Sequence, residues 1–144
     1  MITVLLADDH VMVRDGLRYL LEAAGDIEVV AVALNGKEAV AQALIHIPNV
    51  VVMDVSMPVM DGIAATKQIL ELVPQTRVVA LSMYHTAEYI QRALNAGVLG
   101  YVLKDAAGNE LVAAVRSLYL GERYFSPQIA SYHKYQPEIG RAHV

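Results

Sequence analysis

The sequence predicts an α/β fold, a five-stranded parallel sheet doubly wound with helices on both faces, (βα)5. Three observations predict it. Short apolar runs alternate with amphipathic stretches through residues 2–121, the pattern of repeated strand–helix units joined by right-handed crossovers. The third run, Val50 to Met53, is apolar at every position, as a strand covered on both faces must be. A length of 144 residues, 56% apolar with a mean hydropathy of +0.39, suffices for one core in one domain.

The elements follow in order. Thr3 to Ala7 reads as a buried strand. Val11 to Ala24 carries a helical stripe of Val13, Leu17, Leu20, Leu21 and Ala24, and Gly25-Asp26 stops it. Glu28 to Ala33 is the second strand. Asn35-Gly36 turns the chain into a helix over Glu38 to His46, which Pro48-Asn49 breaks. Past the third strand and the loop at Pro58, Gly62 to Leu72 is helical and ends before Pro74. Arg77 to Leu81 is the fourth strand, and Thr86 to Asn95 is a helix closed by Gly97. Leu99 to Leu103 is the fifth strand. Asn109 to Leu120 is the last helix, with Leu111, Ala114, Val115 and Leu118 on one face and Gly121 as its stop.

In an open parallel sheet, ligands bind past the carboxyl ends of the strands. Asp8 and Asp9 follow the first strand, Asp54 the third, Ser82 the fourth and Lys104 the fifth. Each has a plainer reading when taken alone. Asp8 or Asp9 could cap the first helix, Asp61 the third and Ser82 the fourth, and Lys104 could be a solvated loop residue. Their joint placement on one rim points to chemistry. Three convergent carboxylates repel one another unless a cation joins them. Their oxygen-only set suits Mg²⁺. With Lys104 and the Ser82 hydroxyl beside one aspartate, the rim has what phosphoryl transfer needs, and aspartate is a known covalent acceptor of phosphate. His10 reads as a solvent-edge residue, because Mg²⁺ prefers oxygen. Met57, Met60 and Met83 read as packing residues or as part of a partner-facing apolar surface.

Composition excludes several classes. No cysteine is present, which removes disulfides, thiolate catalysis and Cys-ligated zinc and fits a cytoplasmic protein. No apolar run approaches the roughly 20 residues of a membrane span, and the first residues lack a basic signal-peptide region. The formal net charge is −4, so no basic surface suggests direct nucleic-acid binding.

The pieces LLADDH (5–10), VVMDVSMPVMDG (51–62), ALSMY (80–84) and GYVLKD (100–105) resemble, in order and spacing, the receiver domains of two-component response regulators. The resemblance covers residues 2–121 and implies a flavodoxin-like, CheY-like receiver. It implies that Asp54 is the phosphoacceptor, that Asp9, Asp54 and the Ser56 backbone carbonyl ligate Mg²⁺ directly, and that Asp8 does so through water. It implies that Ser82 and Lys104 contact the phosphoryl group and that Tyr101 is an aromatic switch. Asp105 stands where many members have Pro, and a cis peptide at a non-proline costs about 3 kcal/mol. The Lys104-Asp105 pair, ALSMY and GERYFSP (121–127) are similar to the NarL/FixJ branch. Its members follow the receiver with a linker and a LuxR-type helix-turn-helix.

Residues 1–121 are thus expected to form the receiver. Residues 122–144 are expected to be either the start of that linker or a tail altered by truncation or cloning. The implied partners are a sensor histidine kinase, a second copy after phosphorylation, and DNA only through an output domain absent from these residues. A single-domain regulator acting through protein contacts is the alternative. An aspartyl-phosphate phosphohydrolase is disfavoured, since such enzymes carry a second aspartate at the position of Ser56. The chain is therefore expected to act as a signalling domain rather than as an enzyme.

Overall fold

The computed structural model describes residues 1–129. Its elements run β1 (Ile2–Ala7), α1 (Val11–Ala23), β2 (Ile27–Ala33), α2 (Gly36–His46), β3 (Val50–Asp54), α3 (Gly62–Leu72), β4 (Arg77–Ser82), α4 (Ala87–Ala96), β5 (Gly100–Leu103), α5 (Ala107–Tyr119) and β6 (Tyr124–Phe125). The strands lie in the order β2-β1-β3-β4-β5-β6, and every pairing is parallel. The doubly wound α/β fold is present, with one short edge strand more than the five expected.

Strand side chains alternate between two apolar layers, as the pleat requires. Leu5, Ala7, Val51, Met53, Ala80, Tyr101 and Leu103 pack with Ala39 and Ala43 of α2, Ala65 and Ile69 of α3, and Ile90 and Ala93 of α4. Val4, Leu6, Val50, Val52, Val79, Leu81 and Val102 face Leu17 and Leu21 of α1 and Leu111, Ala114, Val115 and Leu118 of α5. Covering on both faces is why the strands read as unbroken apolar runs.

Two helix starts are set by side-chain caps. The Asn35 side chain accepts the Glu38 amide at 2.8 Å, and that of Asp61 accepts the Ala64 amide at 2.8 Å. Each satisfies an amide that the first helical turn leaves unpaired. Gly97, at φ 109°, closes α4 in the left-handed region. The last helix starts two residues earlier than expected, after a 3₁₀ turn over Lys104–Ala106. Among the described residues no peptide is cis, so the Lys104–Asp105 bond is trans.

The added strand comes from the segment expected to begin a linker. Tyr124 and Phe125 pair with Gly100 and Tyr101. The Ser126 amide donates to the Tyr101 carbonyl at 3.0 Å. The Ser126 hydroxyl donates to Glu110 Oε1 at 2.7 Å and accepts the Leu103 amide at 3.1 Å. Ile129 ends the segment fully buried in the core. Two residues are too short a run for periodicity to betray a strand. SPQIA, expected to open a helix, forms a 3₁₀ turn over Pro127–Ile129. Residues 130–144, which include the expected tail from Ser131 on, lie outside the described part. No helix among the described residues is long and apolar enough to cross a membrane.

Candidate functional site

The carboxyl ends of β1, β3, β4 and β5 deliver the polar groups to one rim. β3 ends on Asp54 with every residue buried, so its carboxylate is held at the tip of a rigid central strand. Asp8 follows β1 and is fully buried, and Ser82 closes β4 and is buried too. Lys104 leaves β5, and its ammonium reaches Asp54 Oδ2 at 3.0 Å and Asp8 Oδ2 at 3.5 Å. A cation thus bridges carboxylates from two neighbouring strands.

The loop after β3 completes the acceptor's surroundings. The Ser56 amide donates to Asp54 Oδ1 at 3.1 Å, while the Ser56 side chain is exposed. Gly62 donates its amide to the Val55 carbonyl at 2.9 Å. A Cβ on Gly62 would run into the Asp54 carbonyl oxygen, so only glycine lets α3 start this close to the acceptor. Asp61 caps α3, as one of the plainer readings had it. It lines a cleft of about 460 Å³ beside the rim, together with Asp9, Ser56, Met57, Tyr89 and Arg92.

Asp8 and Asp9 do not cap α1. The residue at that cap is His10, whose own side chain makes no capping bond. Asp8 Oδ1 instead accepts the His10 amide at 2.8 Å. Ligand atoms of Asp8, Asp9, His10 and Asp54 lie within 4.8 Å of one another. Asp8 Oδ2 and Asp9 Oδ1 are buried and have no hydrogen-bond partner. Buried carboxylate oxygens without partners are costly. Three acidic side chains against one ammonium also leave the rim negative. Such an oxygen-rich donor set can hold a hard divalent cation.

Electrostatics follow from this crowding. Burial, with the Asp8 charge added, pushes the Asp54 carboxyl up to about 6 against the opposing pull of Lys104. For Lys104, burial works to lower its pKa. The hydrogen bond and charge of Asp54, with Asp8 behind it, outweigh burial and leave it raised.

The remaining expected residues gather around α4. Ser82 Oγ accepts the Tyr84 amide at 2.9 Å. Tyr101 is fully buried, and its hydroxyl donates to the Tyr84 carbonyl at 2.7 Å. Burial raises the Tyr101 pKa, with Tyr89 adding to this and Ser82 opposing. Tyr84 stacks on Tyr89 at 4.3 Å, and the Arg92 guanidinium lies 5.6 Å from the Tyr89 ring centre. Sequence reasoning missed this grouping: Tyr84 entered only as the end of ALSMY, and nothing local brings it to Tyr89 and Arg92. It also placed His10 at the solvent edge. The ring is exposed, yet its Nδ1 lies 3.2 Å from Asp9 Oδ1. Met57 is buried, Met60 half-buried and Met83 exposed.

Residues 4–116 match the family model described as the response regulator receiver domain. The chain is 40% identical over 129 residues to the oxygen regulatory protein NreC of Staphylococcus carnosus (strain TM300), a match that takes in 89% of this chain and 59% of NreC. It thus spans less than two thirds of that relative's length. Among solved structures, a LuxR-family two-component response regulator from Aurantimonas sp. SI85-9A1 superposes with a TM-score of 0.86 at 35% identity, over 90% of this chain and 93% of that one. The signal receiver domain of the putative response regulator NarL from Mycobacterium tuberculosis gives a TM-score of 0.79 at 32% identity, over 84% and 98%.

Proposed function

Since this chain belongs to the response regulator receiver domain family, in its NarL and LuxR type, we propose that Asp54 accepts a phosphoryl group from the phosphohistidine of a sensor histidine kinase. A carboxylate oxygen of Asp54 attacks phosphorus. The phosphorus–nitrogen bond breaks as the phosphorus–oxygen bond forms, and the kinase imidazole leaves and takes up a proton. The observation that carries this reading is the Lys104 ammonium lodged between Asp54 and Asp8, where it can neutralise an equatorial phosphoryl oxygen.

The donor set also fits Mg²⁺, because two buried carboxylate oxygens accept no hydrogen bond. Asp9, Asp54 and the Ser56 carbonyl would ligate it directly, and Asp8 through water. When bound, the ion supplies positive charge that offsets the charge of the transferring group. Ser82 is then free to exchange its bond to the Tyr84 amide for one to the phosphoryl group. Tyr101, hydrogen-bonded to the same residue's carbonyl, answers that movement. Phosphorylation biases the chain only through such contacts, made in one conformation and not in the other.

The output in this reading is a changed surface on α4, β5 and α5, leading to homodimerisation. DNA binding would belong to an output domain beyond these residues, and the setting is the cytoplasm. Residues 1–121 form the receiver, and the segment that follows starts a linker held against it by β6 and Ile129. The chain is a signalling domain rather than a typical enzyme, and Ser56 occupies the place where a phosphohydrolase needs its second acid.

The test is labelling by the cognate kinase or by acetyl phosphate. Asp54→Asn should abolish acid-labile, Mg²⁺-dependent incorporation. Equal labelling of parent and variant would remove Asp54 from the acceptor role.

A further inference from the structure

We propose that His10 is a nitrogen ligand of the divalent-ion site, and that it tilts the site from Mg²⁺ towards borderline first-row ions such as Co²⁺, Ni²⁺ and Zn²⁺. This rests on the reading of Asp8, Asp9 and Asp54 as an ion site and adds a ligand that an oxygen-only set leaves out.

Local structure gives the imidazole no capping role, and its neighbours are the two carboxylates. His10 is the residue that precedes α1, in extended backbone at φ −92° and ψ 105°, and its side chain caps nothing. Its amide is bonded to Asp8 Oδ1 at 2.8 Å, which anchors the residue against the carboxylates. The ring then places Nδ1 3.2 Å from Asp9 Oδ1 and 3.4 Å from Asp8 Oδ1. Two adjacent ligands of an octahedral ion with bonds of about 2.1 Å stand roughly 3 Å apart. Nδ1 and Asp9 Oδ1 therefore already have the separation of neighbours on one ion.

The contact is not a hydrogen bond that satisfies the acid, because Asp9 Oδ1 is buried and unpartnered. The acidic side also supplies an inward group, since Asp8 is fully buried and its Oδ2 lacks a hydrogen-bond partner, with only the Lys104 ammonium 3.5 Å away. The ring itself is 62% exposed, so its far edge leaves room for the waters that complete a coordination shell.

Ligand chemistry sets the direction of the preference. Mg²⁺ is hard, keeps oxygen ligands and gives up water reluctantly, so imidazole adds little to its affinity. Co²⁺, Ni²⁺ and Zn²⁺ accept imidazole readily, and their affinity for mixed nitrogen and oxygen sites rises along the Irving–Williams order. One residue can thus separate the two classes of ion while the carboxylates serve both.

The experiment is calorimetric titration of the full chain with Mg²⁺ and with Ni²⁺, for the parent, His10→Ala and His10→Gln, backed by the visible absorption of bound Co²⁺. Both variants should lose about tenfold or more in Ni²⁺ affinity, as the loss of one imidazole bond implies, while Mg²⁺ affinity stays within about twofold. Their Co²⁺ bands should shift, and excess Mg²⁺ should displace Ni²⁺ from the parent. Unchanged Ni²⁺ affinity in both variants, or Ni²⁺ that excess Mg²⁺ fails to displace, overturns the role of His10. A parent that binds neither ion instead overturns the ion site itself, and with it the metal part of the proposed function.

Discussion

Replacing Asp54 by Asn should stabilise the metal-free chain at neutral pH and lose that advantage in acid. In the fold, the Asp54 carboxyl keeps its proton up to about pH 6, while its ordinary value is 3.8. The folded chain therefore binds more protons than the unfolded chain between those values. Stability falls as pH rises through that window, and the whole penalty is present above pH 7. Each tenfold displacement of the proton equilibrium is worth about 1.4 kcal/mol, so ionised Asp54 costs the metal-free fold about 3 kcal/mol. Asn removes the charge but deprives Lys104 of a partner at 3.0 Å. Lys104's pull is already counted against burial in that raised value, so the net gain should be on the order of 3 kcal/mol at neutral pH. Urea unfolding followed by far-UV circular dichroism, in EDTA between pH 4 and pH 8, measures it. The difference between variant and parent should shrink towards zero near pH 4. Mg²⁺ at 100 times its Kd should stabilise the parent by about 2.7 kcal/mol and the variant by less. A difference that stays constant with pH, or a parent more stable than the variant at pH 7.5, would refute the reasoning.

Three further outcomes are expected. Gly62→Ala places a methyl group against the Asp54 carbonyl oxygen. It should cost about 1–3 kcal/mol through forced backbone movement and slow labelling of Asp54, which thermal melts and a phosphorylation time course would reveal. Ser126→Ala strips the Leu103 amide of its acceptor and should cost about 1–3 kcal/mol, with faster amide exchange at Leu103 as the direct readout. Replacing the exposed Ser56 by a bulky residue should change the decay rate of phosphorylated Asp54 while Mg²⁺ affinity holds. Unaltered decay would deny Ser56 a part in the path of water.

Much of the site was legible because strand ends are local facts. An apolar run of strand length followed by Asp-Asp, Asp or Lys can be read directly from Thr3 to Lys104, and the parallel-sheet rule carries those ends to one rim. The cap at Asp61 was legible in the same way, whereas Asn35 read as half of a turn and is the N-cap of α2. His10 read as a solvent-edge residue beside the site, and its ring is exposed there; only the tertiary structure shows the bond from its amide to Asp8 that anchors it next to the pair.

The sequence by itself determined the kind of fold and the membership of the rim, since both follow from short-range periodicity and chain order. Only the tertiary structure decided that β1 lies beside β3, that Lys104 stands between Asp8 and Asp54, and that Asp54 is hard to ionise. It also decided that Tyr124 to Ile129 close the sheet's far edge. The physical reason is shared. Lys104 and Asp54 are 50 residues apart, and their meeting depends on how two apolar layers pack around the whole sheet. Desolvation of a carboxylate likewise depends on what buries it, which no local pattern of residues records.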